Sequence, residues 1–188
     1  MTTQNLLQTI GTAIIFADGT YSPGANTILG TRTDDIDVAS LAAAAARQSV
    51  KANLGMPHAE EYDVDITYEI ATDPASGGTI DLYWSESHSS TAAVGNMGGC
   101  TGADAAYTGY AGMTLAESLK HLLYIGSVNV GVQNDADGVN IAHVGRFRPV
   151  NQYGCLVVVN NCSVAFHSDS VEFAVRMSPV IPDLQAAA

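Results

Sequence analysis

Between residues 61 and 71 the chain alternates with a period of two. Tyr62, Val64, Ile66, Tyr68 and Ile70 are separated by Asp63, Asp65, Thr67 and Glu69. Successive side chains of a strand point to opposite faces, so one face here is apolar and the other acidic. Residues 75–78 supply turn formers, after which Ile80, Leu82 and Trp84 alternate with Asp81, Tyr83 and Ser85. The spacing predicts a hairpin in which 61–71 pairs with 80–85 and buries one face. Near the other end Val171, Phe173, Val175 and Met177 alternate with Glu172, Ala174 and Arg176. Residues 155–159, CLVVV, carry no polar position, which predicts a central strand buried on both faces. Further strands are expected at 12–16, 125–132, 139–147 and 163–166, and a short one within the loop 20–30. Asp18-Gly19, Asp137-Gly138 and Asn160-Asn161 mark turns. Pro179 and Pro182 should end the last strand. Val64, Ile66, Tyr68, Leu82, Trp84, Val157, Phe173 and Val175 are the expected core.

Two stretches read as helical. Ser40 is a suitable N-cap for LAAAAARQSVKANL (41–54), with Gly55 and Pro57 placed to stop it. Thr114 and Glu117 form a capping box for a helix over 115–124, whose Leu115, Leu119, Leu122 and Leu123 share a face. Between them lies a Gly-, Ser- and Ala-rich segment, 86–112. Structureless loops of that length are uncommon, and Tyr107 and Tyr110 argue that this one packs. There is no βαβ rhythm and no repeat. The expected fold is therefore all-β: an antiparallel β-sandwich of the jelly-roll type with two short helices. It forms one domain over 1–188, with an N-terminal extension (about 1–30) and the glycine-rich loop 86–112.

Composition narrows the function classes. The 188 residues include 7 Lys and Arg against 19 Asp and Glu, a formal net charge of -12. Seven scattered cations cannot build a nucleic-acid surface. Charged residues are only 14% of the chain, against about 25% usually, so much of the surface is neutral. No apolar run reaches the ~20 residues of a membrane span. The start MTTQNLLQTI lacks the basic and apolar regions of a signal peptide, so none is expected. Cys100, Cys155 and Cys162 do not make a disulfide framework, which suits synthesis in a reducing cytosol. A two-residue turn at 160–161 would pair Val159 with Cys162 and Cys155 with Phe166, leaving the sulfurs of Cys155 and Cys162 too far apart to bond. Cys100 lacks the partners of a zinc site.

Each chemical candidate has a plainer explanation. Asp34, Asp35 and Asp37 are hard-cation ligands by type, but the spacing lacks a calcium loop's glycine and terminal glutamate. His167 and Asp169 are triad residue types, but neighbours in one turn rarely form a triad, and no GxSxG elbow is present. Glu60, Glu61, Asp63, Asp65, Glu69, Asp73, Asp81 and Glu86 are acids in a stretch without Lys or Arg. Alternating outward on a hairpin, they read as a solvated face or a surface for a basic partner rather than a glycosidase pair. Trp84 is the only Trp, and its in-phase neighbours are apolar, which favours core over sugar stacking. No catalytic, cofactor-binding or metal-binding residue is assigned.

The phrases TDDIDVASLAAAAARQSVKANLG, EEYDVDITYEI, TIDLYWSESHSSTAAVGNMGGCTGADAAYTGY, GRFRPVNQYGCLVVVNN and HSDSVEFAVRMSPVIPDLQ cover most of the chain from about Asp34 onward. In combination they resemble a group of small virion structural proteins of tailed bacteriophages and prophages. The resemblance implies a non-enzymatic virion component assembled in the host cytoplasm, with no cofactor. A compact β-sandwich without heptads or repeats suits a decoration or cement protein bound to the major capsid protein. The alternatives are a tail, collar or baseplate component, or a glycan- or receptor-binding module. A homo-oligomer, a trimer, is expected, with contacts through the chain ends and 86–112.

Overall fold

The computed structural model describes residues 5–10, 12–24, 30–132 and 138–185. The chain is mostly β, with two sheets packed on one another as a β-sandwich. In the first sheet β10 (Asn140–Phe147), β6 (Glu61–Tyr68), β12 (Ala174–Gln185), β2 (Ile14–Ala17) and β3 (Asp34–Asp35) lie in that order, and β1 (Asn5–Ile10) also joins β12. The second sheet has the order β8 (Ala105–Ala106), β4 (Ala46–Gln48), β11 (Tyr153–Asn160), β7 (Gly78–Ser87), β9 (Leu123–Val130), with β5 (Ala52–Asn53) also on β11. The pair β2–β3 is parallel; the other described pairs are antiparallel.

Two apolar layers explain the hydrophobic pattern. Between the sheets lie Phe16, Tyr62, Val64, Ile66, Tyr68, Ile80, Leu82, Trp84, Phe147, Leu156, Val158, Phe173 and Val175. Trp84 sits edge-on to Phe16 at 6.3 Å and 5.8 Å from Phe147. On the outer face of the second sheet, Cys155, Val157 and Val159 pack with Cys100, Tyr107 and Leu122. Alternate residues of β11 thus enter opposite layers, which is why CLVVV tolerates no polar side chain. All eight expected core residues are buried.

The hairpin does not form. β6 pairs with β10 and β12, whereas β7 pairs with β11 and β9 in the other sheet. The two strands face each other across the core, so each keeps its predicted apolar face but not the predicted neighbour.

The helix expected over 41–54 is absent. Its Ala46–Gln48 forms β4 and its Ala52–Asn53 forms β5, both on β11. Ser40 and Ala44 have φ of 54° and 58°, so neither is a helix start or interior. The backbone bonds instead run to β11 and the residue before it: Ala44 N–H to Asn160 O at 2.7 Å, Ser49 N–H to Leu156 O at 2.9 Å, and Leu54 N–H to Gln152 O at 2.8 Å. Alanine's helix preference is worth less than about 1 kcal/mol per residue. Leaving the buried edge of β11 without partners costs more.

The second helix is short, α1 (Leu115–Leu119), with the expected capping box complete at Thr114 and Glu117; Leu123 already belongs to β9. Residues 163–166 form no strand beside β11. Phe166 instead bridges Ile70, and Asn161 N–H bonds Thr79 O at 2.9 Å. β12 runs through both prolines. Pro179 falls between its last pair with β2 (Met177) and its first with β1 (Val180), where a missing N–H on that edge is tolerated. The expected turn residue Asp137, and 25–29 of the loop 20–30, lie outside the described residues.

Candidate functional site

The sheet edges are treated very differently. β9 and β10, the lateral strands on one side, close on each other: a Cβ on Gly126 would lie 2.4 Å from Val144 O, and one on Gly145 3.0 Å from Ile125 O. On the other side β3 and β8 have two residues each. Short and covered edges are how sheets avoid unwanted pairing. β1 is the exception. Its six residues pair with β12 from Asn5↔Gln185 to Ile10↔Val180, whereas the β6 ladder on β12 ends at Val180↔Glu61. β1 and the end of β12 therefore make a two-stranded ribbon continuing past β6. Among the described strands, β1 is laddered to β12 alone.

The glycine-rich segment is a packed lobe over the outer face of the second sheet. Lys51 organises it: Nζ donates to Ser87 Oγ (2.9 Å) and to the carbonyls of Ser89 (3.0 Å), Thr91 (2.6 Å) and Val94 (2.7 Å). Tyr107 donates to Gly98 O at 2.5 Å, and Gln48 exchanges two bonds with Thr101. Gly102, at φ 75°, is required because a Cβ there would lie 2.1 Å from Ala92 O. Val94, Met97, Tyr110 and Met113 remain exposed on the lobe.

The aspartates at 34–37 divide: Asp35 and Asp37 line one concavity with Asp18, Asp104 and Arg32, and Asp34 lies in another. Asp34 lies beside Ile14, Leu54 and Tyr62, where burial pushes its carboxyl up. Asp35 pairs with Arg32. Asp37 accepts from Ala39 N–H at 2.9 Å and Ser170 Oγ at 3.0 Å, while the nearby Asp104 takes Arg47 at 2.6 Å. These are turn bonds and ion pairs, not a shared cage.

Much of the acidic stretch is paired from β10 and from Arg148 just after it, both distant in sequence. Arg146 holds Asp63 at 2.7 Å and Glu61 at 3.4 Å, Arg148 also holds Glu61, and His143 lies 3.0 Å from Asp65. Glu86 caps the backbone N–H groups of Val150 and Asn151, both at 2.9 Å. Asp81 accepts from Ser127 and from Asn161, the latter at 2.7 Å. Glu60 and Asp73 are exposed. The acids therefore form neither a uniform solvated face nor a carboxylate pair.

His167 and Asp169 are brought together with Glu69, which the sequence pattern placed only on a polar strand face. Ser170 Oγ donates to Asp37 at 3.0 Å rather than to His167. The three cysteines are buried and free. Burial pushes the thiols of Cys100 and Cys155 up to about 11 and about 12. Trp84 is core, while Tyr83 and Tyr124, 5.2 Å apart, line a shallow concavity with Asp81 and Lys120. Tyr124 is half exposed, and no periodicity marked it. No helix among the described residues is long and apolar enough to cross a membrane.

No protein-family model, no curated protein and no solved structure matches the chain.

Proposed function

We propose that this chain is a structural protein of a tailed-bacteriophage particle, a decoration or cement protein on the head. The observation that carries the reading is the β1–β12 ribbon. An isolated two-stranded ribbon is marginal in water and gains by accepting a further strand. With the other lateral edges closed or very short, β1 is where a neighbouring subunit would add. The partners in this reading are the major capsid protein and further copies of the chain, arranged as a trimer. The virion is its location, and the role is non-enzymatic, with no cofactor, nucleic acid or membrane partner. The resemblance of the segments from Asp34 onward supports the phage setting.

A jelly roll belongs to the same proposal. The chain changes sheet between β3 and β4, β5 and β6, β6 and β7, β9 and β10, β10 and β11, and β11 and β12. Strand pairs wound around a common core require such crossings.

Quantitative mass spectrometry of purified particles tests the reading. A copy number comparable to the major capsid protein is expected. A few copies per particle would move the protein to the tail, collar or baseplate. The Tyr83–Tyr124 concavity would then favour a glycan-binding role, since an exposed ring beside the Asp81 carboxylate and the Lys120 ammonium suits a sugar.

A further inference from the structure

We propose that Glu69, His167 and Asp169 form a binding site for a divalent transition-metal ion of the zinc class. The site fastens the link between β11 and β12 to the end of β6. Glu69 directly follows β6, and His167 and Asp169 lie in the link. The backbone holds the first two opposite each other: Ile70 bridges Phe166, His167 N–H bonds Glu69 O at 3.1 Å, and Ala71 N–H bonds Ala165 O at 3.0 Å. The link is fixed on its other side by Ser40 N–H bonding His167 O at 2.7 Å. The two main ligands thus stand on a braced antiparallel pair rather than a free loop.

The donor atoms converge. His167 Nδ1 lies 3.4 Å from Asp169 Oδ2 and 3.9 Å from Glu69 Oε2. One donor atom from each of the three residues lies within 4.8 Å of the others. Zinc bound at about 2.0–2.2 Å in tetrahedral geometry needs donors about 3.3–3.6 Å apart. The His167–Asp169 distance already fits; a small rotation of the His167 or Glu69 side chain would close the 3.9 Å gap between them, and the Asp169 side chain, 54% exposed, has room to turn toward Glu69.

Charge points the same way. The concavity is lined by Glu69, His167, Asp169, Val171 and Glu172, so three carboxylates surround one imidazole without Lys or Arg among these lining residues. The Glu69 side chain is only 11% exposed. Carboxylate oxygens gathered around an imidazole nitrogen are a donor set that suits a divalent cation. An imidazole donor favours zinc-class metals over calcium or magnesium, which prefer all-oxygen shells. Sequence reading missed the site because Glu69 alternates with core residues of β6, and its partners come from a distant link.

The test is calorimetric titration of the full, chelator-stripped chain with zinc chloride at pH 7, with calcium chloride as comparison, alongside thermal melts. One zinc equivalent should bind saturably and calcium should not. Tm should rise by about 5–10 °C at a hundredfold excess over Kd. Glu69→Gln, Asp169→Asn and His167→Ala should each weaken zinc binding at least about tenfold, since outer-shell partners alone carry that much. His143→Ala and His58→Ala should leave it unchanged. The absence of saturable zinc heat overturns the proposal, as does binding that survives His167→Ala but not His143→Ala or His58→Ala. A melt indifferent to zinc but raised by acidification would assign the cluster to an imidazolium held by carboxylates instead. Neither result bears on particle location, which copy number tests separately.

Discussion

Gly154→Ala should damage the core although it adds one methyl group. A Cβ at residue 154 would lie 2.3 Å from Cε2 and Cζ2 of Trp84 and 2.6 Å from its Nε1. Carbon atoms rest at about 3.5–4.0 Å, so ring or strand must yield by more than about 1 Å. Neither yields readily. The ring is wedged between Phe16 and Phe147. Residue 154 is laddered on both sides, to Ala52 and to Glu86. The cost should therefore reach the upper part of the overpacking range, about 3 kcal/mol. For a chain of this size each kcal/mol lowers Tm by about 2–4 °C, so a fall of about 6–12 °C is expected. Calorimetry reads the fall, and near-ultraviolet circular dichroism reads the sole Trp. Gly24→Ala, with nothing within 4 Å of the added Cβ, is the control. Combining Gly154→Ala with Trp84→Phe should recover part of the loss relative to additivity. A Gly154→Ala protein melting within about 1 °C of the parent would refute the packing argument, and strict additivity would refute the assigned contact.

Lys51→Met keeps the alkyl stem but leaves the carbonyls of Ser89, Thr91 and Val94 without this donor; a loss of about 1–3 kcal/mol and faster proteolytic nicking within 88–96 are expected, read by melts and limited proteolysis. Because only the thiolate reacts and burial raises the thiol pKa of Cys100 and Cys155 to about 11 and about 12, both should resist a disulfide reagent at pH 8 in the native protein and react in denaturant; rapid native modification would contradict their burial. Thr9→Pro removes a backbone donor from β1 and should lower attachment to particles while the sandwich melts as before; a co-sedimentation assay showing undiminished attachment would remove the ribbon from the interface.

The parts legible in the sequence were those decided by near neighbours. The capping box spans three residues and was readable as it stands. The apolar faces of β6, β7 and β12 follow from a period of two, and the double burial of β11 from the lack of any polar position. Pairing is a different matter. Alternation says which side of a strand is buried but not which strand lies beside it, so β6 and β7 read as a hairpin although they sit in opposite sheets. The alanines of 42–46 have a local preference that the edge of β11 overrides. The acids of β6 looked unpartnered because Arg146 comes from β10 and Arg148 from just after it. The role of Lys51 had no local signal because its acceptors lie 36–43 residues further on. Glu69 and His167 meet only through the bridge at Ile70 and Phe166.

These same pairings separate faces from edges as assembly surfaces. The second sheet is covered on one face by the first sheet and over part of the other by the glycine-rich lobe, which leaves the Tyr83–Tyr124 concavity open beside β9. The outer face of the first sheet carries the Glu61–Arg146–Asp63 and Asp65–His143 pairs, with Ile15, Ala17 and Ala174 packed under Tyr21. Charges already paired across strands offer a partner little, because separating or desolvating them costs what a new pair returns. Assembly should then depend on the β1 edge and be nearly indifferent to the charge ladder. Arg146→Gln with Asp63→Asn removes both charges of one rung while keeping polar side chains. That double variant should attach to particles like the parent at every salt concentration tried. If attachment instead falls, or becomes steeply salt-dependent, the outer face of the first sheet is the docking surface and the ribbon is not.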